Sequence, residues 1–285
     1  MKGAIECFSD FLLPECYLAW SLEIICLICL GIVTYFIIRK PCRKLMRNST
    51  KIQILIMFSL IFYFIYNLRR IHRTYYFLEE LFFSVYQACL IFYFGKKLVE
   101  GGAQRKNLLT IRLIFSILLI LDFITFILSM IEANSKELMC KQISFTVFRS
   151  VSLITQIAFL IVAQKLHKKF QQNQQILLMD EQQTKQQKYH FIQLKILCYI
   201  SFIGSIILLI VNFLYMISAD CRIISHFGNE GQNFSDVLNI IIHAFVKIMT
   251  YFLPIILTLA IFKTKSKQEI HDDSILETED FYIRG

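Results

Sequence analysis

Apolar runs of membrane-crossing length recur seven times along this chain, over 17–38, 52–68, 75–94, 113–131, 143–163, 196–217 and 237–262, with polar connections between them. A hydrocarbon core about 30 Å thick is crossed by about 20 helical residues, and each run falls near that length. In lipid only helices or a closed barrel satisfy every backbone group, and these runs lack the strict alternation of barrel strands. The pattern predicts an all-α, integral membrane bundle of seven transmembrane helices. A short segment, 1–16, precedes the bundle and a tail, 263–285, follows it, so one domain fills the chain.

The polar positions inside the runs recur at helical spacing. Tyr76, Glu80, Ser84 and Gln87 share one face of the third span, Asp122, Thr125 and Ser129 one face of the fourth, and Arg149, Ser152 and Gln156 one face of the fifth. Asn239, His243, Lys247 and Thr250 do the same in the seventh, where Pro254 predicts a kink. Residues three and four apart lie above one another on a helix, so each helix turns a polar stripe inward. A charge near the bilayer centre costs at least ~2.5 kcal/mol and must face protein or water. These stripes predict an ion-pair or ligand pocket of Glu23, Glu80, Gln87, Asp122, Arg149, Gln156, His243 and Lys247. Within it Glu23 or Glu80 is expected to meet Arg149, and Asp122 to meet Lys247.

Charge then sets an orientation. Of the 30 Lys and Arg, 21 fall in the first, third and fifth connections and the tail, against seven on the other side and two, Arg149 and Lys247, inside spans. Cationic loops stay in the cytoplasm, which places the N-terminus outside or in a lumen and the C-terminus in the cytoplasm. The sequence 1–16 lacks the pattern of a cleavable signal, so the first span is expected to direct insertion. The net charge of +9 is explained by loops facing anionic lipid and carries no sign of nucleic-acid binding.

Four of the nine cysteines, Cys7, Cys16, Cys140 and Cys221, fall on the predicted lumenal side, where disulfides form and persist. Asn233-Phe234-Ser235 is a glycosylation sequon on that side. Cys42, between Arg39-Lys40-Pro41 and Arg43-Lys44, is a candidate for palmitoylation. The fifth connection, 164–195, is rich in Gln and Lys, and is expected to be a solvated extension of its flanking helices or a mobile loop.

Little in the chain suggests catalysis. There is no Gly-rich phosphate loop, no HExxH and no nucleophile elbow, and five of the six His lie outside the spans. Cys26-Leu27-Ile28-Cys29 has a redox spacing but lies inside an apolar run, and is expected to serve packing. The expectation is a protein that is not an enzyme, with no cofactor and no metal. An orphan receptor-like or scaffold protein heads the functional classes, acting through cytoplasmic partners at its basic connections 96–112 and 164–195. A small-solute or ion transporter with a polar site in the bundle is the alternative. A retinal-binding protein is a minor one, suggested by Lys247 in the seventh span but set against a single Trp, Trp20.

Val237-Leu238-Asn239 opening the last span, then Phe252-Leu253-Pro254 and a basic exit, resemble the seventh helix of the plant tobamovirus-multiplication (TOM/THH) family and the related orphan seven-helix receptor-like family of animals. Leu81-Phe82-Phe83-Ser84, and Lys51 entering a second span that ends in Arg69-Arg70, are similar too. Two departures stand out: Tyr251 occupies a position where the plant pattern carries an acidic residue, and the Gln-rich fifth connection has no counterpart. The resemblance implies a non-enzymatic protein of vacuolar, lysosomal or plasma membranes that works through cytoplasmic partners.

Overall fold

Pro14 opens the first helix at a position where its fixed φ suits the helix and its missing N–H leaves no bond unmade. From there the chain, in a computed structural model, forms helices α1 (Pro14–Ile38), α2 (Asn48–Arg69), α3 (Arg73–Glu100), α4 (Arg105–Ala133), α5 (Ile143–Ile176), α6 (Glu181–Ile217) and α7, which starts at Gln232. The structure describes residues 14–38, 48–69, 73–100, 105–133, 143–176, 181–217 and 232–262, and none of these is in a strand. All seven helices are long and apolar enough to cross a membrane. The protein is an integral membrane seven-helix bundle.

The described helices outrun the apolar runs that identify them. α5 continues from Lys165, where its apolar stretch ends, to Ile176, and α6 starts at Glu181, well before its apolar stretch at Ile192. At ~1.5 Å per residue each extension adds about 16 Å of helix beyond the apolar part. Of the two expectations for the Gln-rich connection, the helical extension is the one found for these residues.

α3 is the most buried helix and α4 the least. Aromatic contacts join α3 to four neighbours. Phe82 stacks on Phe58 and Phe62 of α2, Phe92 meets Phe115 of α4, Phe94 stacks on Phe159 of α5, and Tyr93 meets Phe262 at the end of α7. α1 packs against α2 and α7, and α5 against α6. Outward-facing Ile, Leu and Phe on α4, such as Leu113, Ile120 and Phe123, are exposed, as suits a lipid-facing helix.

α7 changes geometry halfway. Its α-helical part ends at Lys247, a π segment covers Ile248–Phe252, and helix continues over 253–262. The Leu253 N–H bonds to Ile248 O, five residues back. Pro254 explains the location: it has no N–H for Thr250 O, and its ring would crowd that carbonyl in a regular α-turn. The kink expected at Pro254 takes the form of this widened turn.

Gly204 of α6 lies against the π segment. A Cβ there would come within 3.3 Å of the Thr250 Cα. The missing side chain lets the two backbones approach, as small residues do between membrane helices.

Candidate functional site

Glu79 and Glu80, consecutive on α3, hold cations from two different helices. The Arg149 guanidinium of α5 donates from Nη1 to Glu80 Oε2 and from Nη2 to Glu80 Oε1, each at 2.7 Å. Tyr76, one turn earlier on α3, accepts a further bond from Arg149 Nη2. This forked geometry suits buried Arg, whose planar donors match a carboxylate. Of the two acids expected to meet Arg149, Glu80 is the one that does.

The Lys247 ammonium of α7 donates to Glu79 Oε1 and lies 3.7 Å from Glu80 Oε1. Three tyrosine rings surround it, with centroids at 4.5 Å for Tyr251, 5.1 Å for Tyr63 and 5.7 Å for Tyr76. An ammonium among ring faces and carboxylates exchanges its water for fixed partners. Ser59 of α2 ties the same place together, donating to Glu79 O at 3.1 Å and sharing a 2.8 Å bond with the Tyr251 hydroxyl. Four helices, α2, α3, α5 and α7, therefore meet at two adjacent glutamates.

Asp122 does not pair with Lys247. It is buried and accepts a 2.7 Å bond from Ser84 of α3. Ser84 stands 11 residues after the start of α3 and Asp122 the same distance before the end of α4, so their depths match in oppositely directed helices. Depth alone put Asp122 level with Lys247, but α4 meets α3 on a different face from α7, and Glu79 lies where the ammonium arrives.

The inward stripes are otherwise buried as their spacing requires. Glu80, Ser84 and Gln87 on α3, Asp122, Thr125 and Ser129 on α4, and Arg149, Ser152 and Gln156 on α5 are buried, while Asn239, His243 and Thr250 on α7 are half-buried. Several hydroxyls bond to their own helix and not across the bundle. Thr125 donates to Leu121 O, Ser129 to Thr125 O, and Thr155 to Val151 O. Gln156 is 1% exposed, and its amide has no hydrogen-bond partner among the described residues. Gln87 Oε1 and Asp122 Oδ2 are likewise unpartnered there.

Glu23 of α1 stands apart from the ion pairs. It is 1% exposed, and neither carboxyl oxygen has a hydrogen-bond partner among the described residues. Glu79 lies within its electrostatic range. Cys26, one turn on, is within range of Glu23, Glu79 and Lys247, and its thiol donates to Leu60 O at 3.3 Å. Cys26 and Cys29 are both buried and free, in keeping with packing.

Glu79 is the residue that spacing missed. It lies one position off the Tyr76, Glu80, Ser84 stripe, on a face turned by about 100°. Two consecutive acids in an apolar run, with two cations in the remaining spans, were the signal that could have found it.

Cys16 is disulfide-bonded. Cys7, Cys42, Cys140 and Cys221 lie outside the described residues, as does the tail 263–285. The backbone of Asn233 falls in the first turn of α7. Among the described residues, no group of three or more His, Cys, Asp or Glu is placed to hold a metal ion. No protein-family model, no curated protein and no solved structure matches this chain.

Proposed function

We propose that this chain is a seven-helix, receptor-like membrane protein that acts through cytoplasmic partners and is not an enzyme, with α7 as the helix whose position carries the signal. One observation supports this above the others: Lys247 is tied to Glu79 on α3 at the last residue before a π segment. A helix fixed on one side of a deformable turn can take two settings, which is what a switch requires. The resemblance of the seventh span to the TOM/THH and orphan receptor-like families points the same way. So do the basic connections 96–112 and 164–195, which give cytoplasmic proteins a surface to meet. Endomembranes of vacuolar or lysosomal type, or the plasma membrane, fit this reading.

The test is proximity labelling from a labelling enzyme fused at Gly285 in native cells, comparing the wild-type chain with Glu79→Gln. Glu80 stands 3.7 Å from Lys247, so the variant keeps a carboxylate near the ammonium and is expected to insert normally. A reproducible set of cytosolic neighbours that changes in Glu79→Gln supports the reading. An identical set from both proteins opposes it.

A small-solute or ion transporter is the second reading, favoured by Glu23, a buried carboxyl without a hydrogen-bond partner among the described residues. Solute uptake by proteoliposomes of the purified chain, abolished by Glu23→Gln, would replace the first reading with this one.

A further inference from the structure

Two carboxyls and two cations face one another where α3, α5 and α7 meet, and α1, packed against α7, brings a third carboxyl within electrostatic range of Glu79. Glu79 and Glu80 are matched by Lys247 and Arg149. Glu23 is the third carboxyl, with both oxygens buried and unpartnered among the described residues and with Glu79 as its charged neighbour. A second carboxylate beside Glu79 without a cation of its own would be repelled and stripped of water at once. The cluster is one positive charge short.

Two classes of ligand bring a single positive charge into such a place. A metal ion needs several ligating oxygens arranged around it, and no group of three or more acidic, His or Cys side chains among the described residues has that arrangement. A proton needs one oxygen and no space. We infer that Glu23 is a proton-binding site, in which the carboxylate takes up H⁺ to become the neutral acid and releases it to become a carboxylate that repels Glu79.

The surroundings give that exchange a consequence. α1 packs against α2 and α7; the titratable groups in electrostatic range of Glu23 are Cys26 on its own helix and Glu79 on α3, and Lys247 on α7 is in range of both Cys26 and Glu79. Lys247 is the cation already tied to Glu79. With Glu23 neutral, Glu79 faces no like charge from α1. With Glu23 charged, Glu79 meets a second carboxylate, and its hold on Lys247 becomes proton-linked. The inference depends on neither functional reading above.

Infrared spectroscopy of the purified full-length chain in nanodiscs at neutral pH tests it, reading the C=O stretch of protonated carboxyls. An Asp122→Asn background removes the separate buried acid from every spectrum. One carboxylic-acid band is expected in this background, and it should vanish in Glu23→Gln, where an amide replaces the acid at the same size. Glu79→Gln should keep the band, because Glu23 stays buried without a cation of its own while Glu80 remains beside Lys247. Lys247→Met should instead double it, because Glu79 then takes up a proton too. A band indifferent to Glu23→Gln overturns the proposal, as does a band that sodium abolishes at constant pH, which would assign the charge to a metal ion. Should Glu23→Gln fail to fold, Glu23→Asp takes its place, and a band that does not shift in Glu23→Asp overturns the proposal equally.

Discussion

Glu79 and Glu80 are adjacent in the chain yet serve different helices, Glu80 receiving Arg149 of α5 and Glu79 receiving Lys247 of α7. Successive residues on a helix point about 100° apart, so a pair of acids can address two neighbours at one depth. α3 is thereby the common anchor of both helices, with Glu80 Oε1 also 3.7 Å from the Lys247 ammonium.

The Arg149–Glu80 pair should behave as a buried, mutually dependent unit. Arg149→Met and Glu80→Leu should each cost ~3–5 kcal/mol, because each strands a charge, while the double variant regains most of the loss. Denaturation of the purified protein in detergent measures this. Losses that simply add would show that the two side chains act separately.

A second double-variant comparison separates Glu79 from Asp122 as the partner of Lys247. Lys247→Met combined with Glu79→Leu should recover stability, whereas Lys247→Met combined with Asp122→Leu should lose the sum of the two single effects to within ~0.5 kcal/mol. Recovery in the Asp122 combination would return that aspartate to the role its depth suggested.

The close approach of α6 to the π segment predicts unequal tolerance of two glycines. Gly204→Leu should destabilise by about 1–3 kcal/mol, since a Cβ already meets the Thr250 backbone at 3.3 Å. Gly31→Leu should be nearly silent, because nothing lies within 4 Å of a Cβ there. Equal thermal shifts for the two would show that α6 and the π segment separate easily.

Orientation is predicted by charge alone. With 21 of 30 Lys and Arg on one side, a tag at Gly285 should be cut by protease from the cytosol and a tag at Met1 should be protected. Protection of both would mean an even number of crossings.

The seven helices were legible because lipid leaves few options: an apolar run of sufficient length has to be helical, and its polar stripe has to face inward. Glu80 and Arg149 were legible for the same reason, each lying a turn or two from the same end of its helix. What depth could not supply was direction around the helix axis. Counting residues put Lys247 and Asp122 at one level, but Asp122 bonds to Ser84 and Lys247 to Glu79, which lies one position off the Glu80–Ser84 stripe and more than a turn away along α3. The π segment had only a partial signal, since Pro254 announces a disturbed turn without saying whether the helix bends or widens. The disulfide at Cys16 was legible only as one member of a set of four, because pairing depends on loops whose paths the sequence leaves open.

The widened turn over Ile248–Phe252 also has a meaning for insertions and deletions. A π turn is an α-helix with one residue too many, so everything after Phe252 is rotated by about 100° from where an unbroken helix would place it. Removing one residue inside the turn would keep the helix on both sides in register, at the cost of Pro254 crowding the carbonyl four residues before it. Removing one from α3 would swing Glu79 and Glu80 away from both their cations. Helix length is an unforgiving quantity in a membrane, and among the described residues of this bundle it has slack at one place, beside the paired charges of Glu79, Glu80, Arg149 and Lys247.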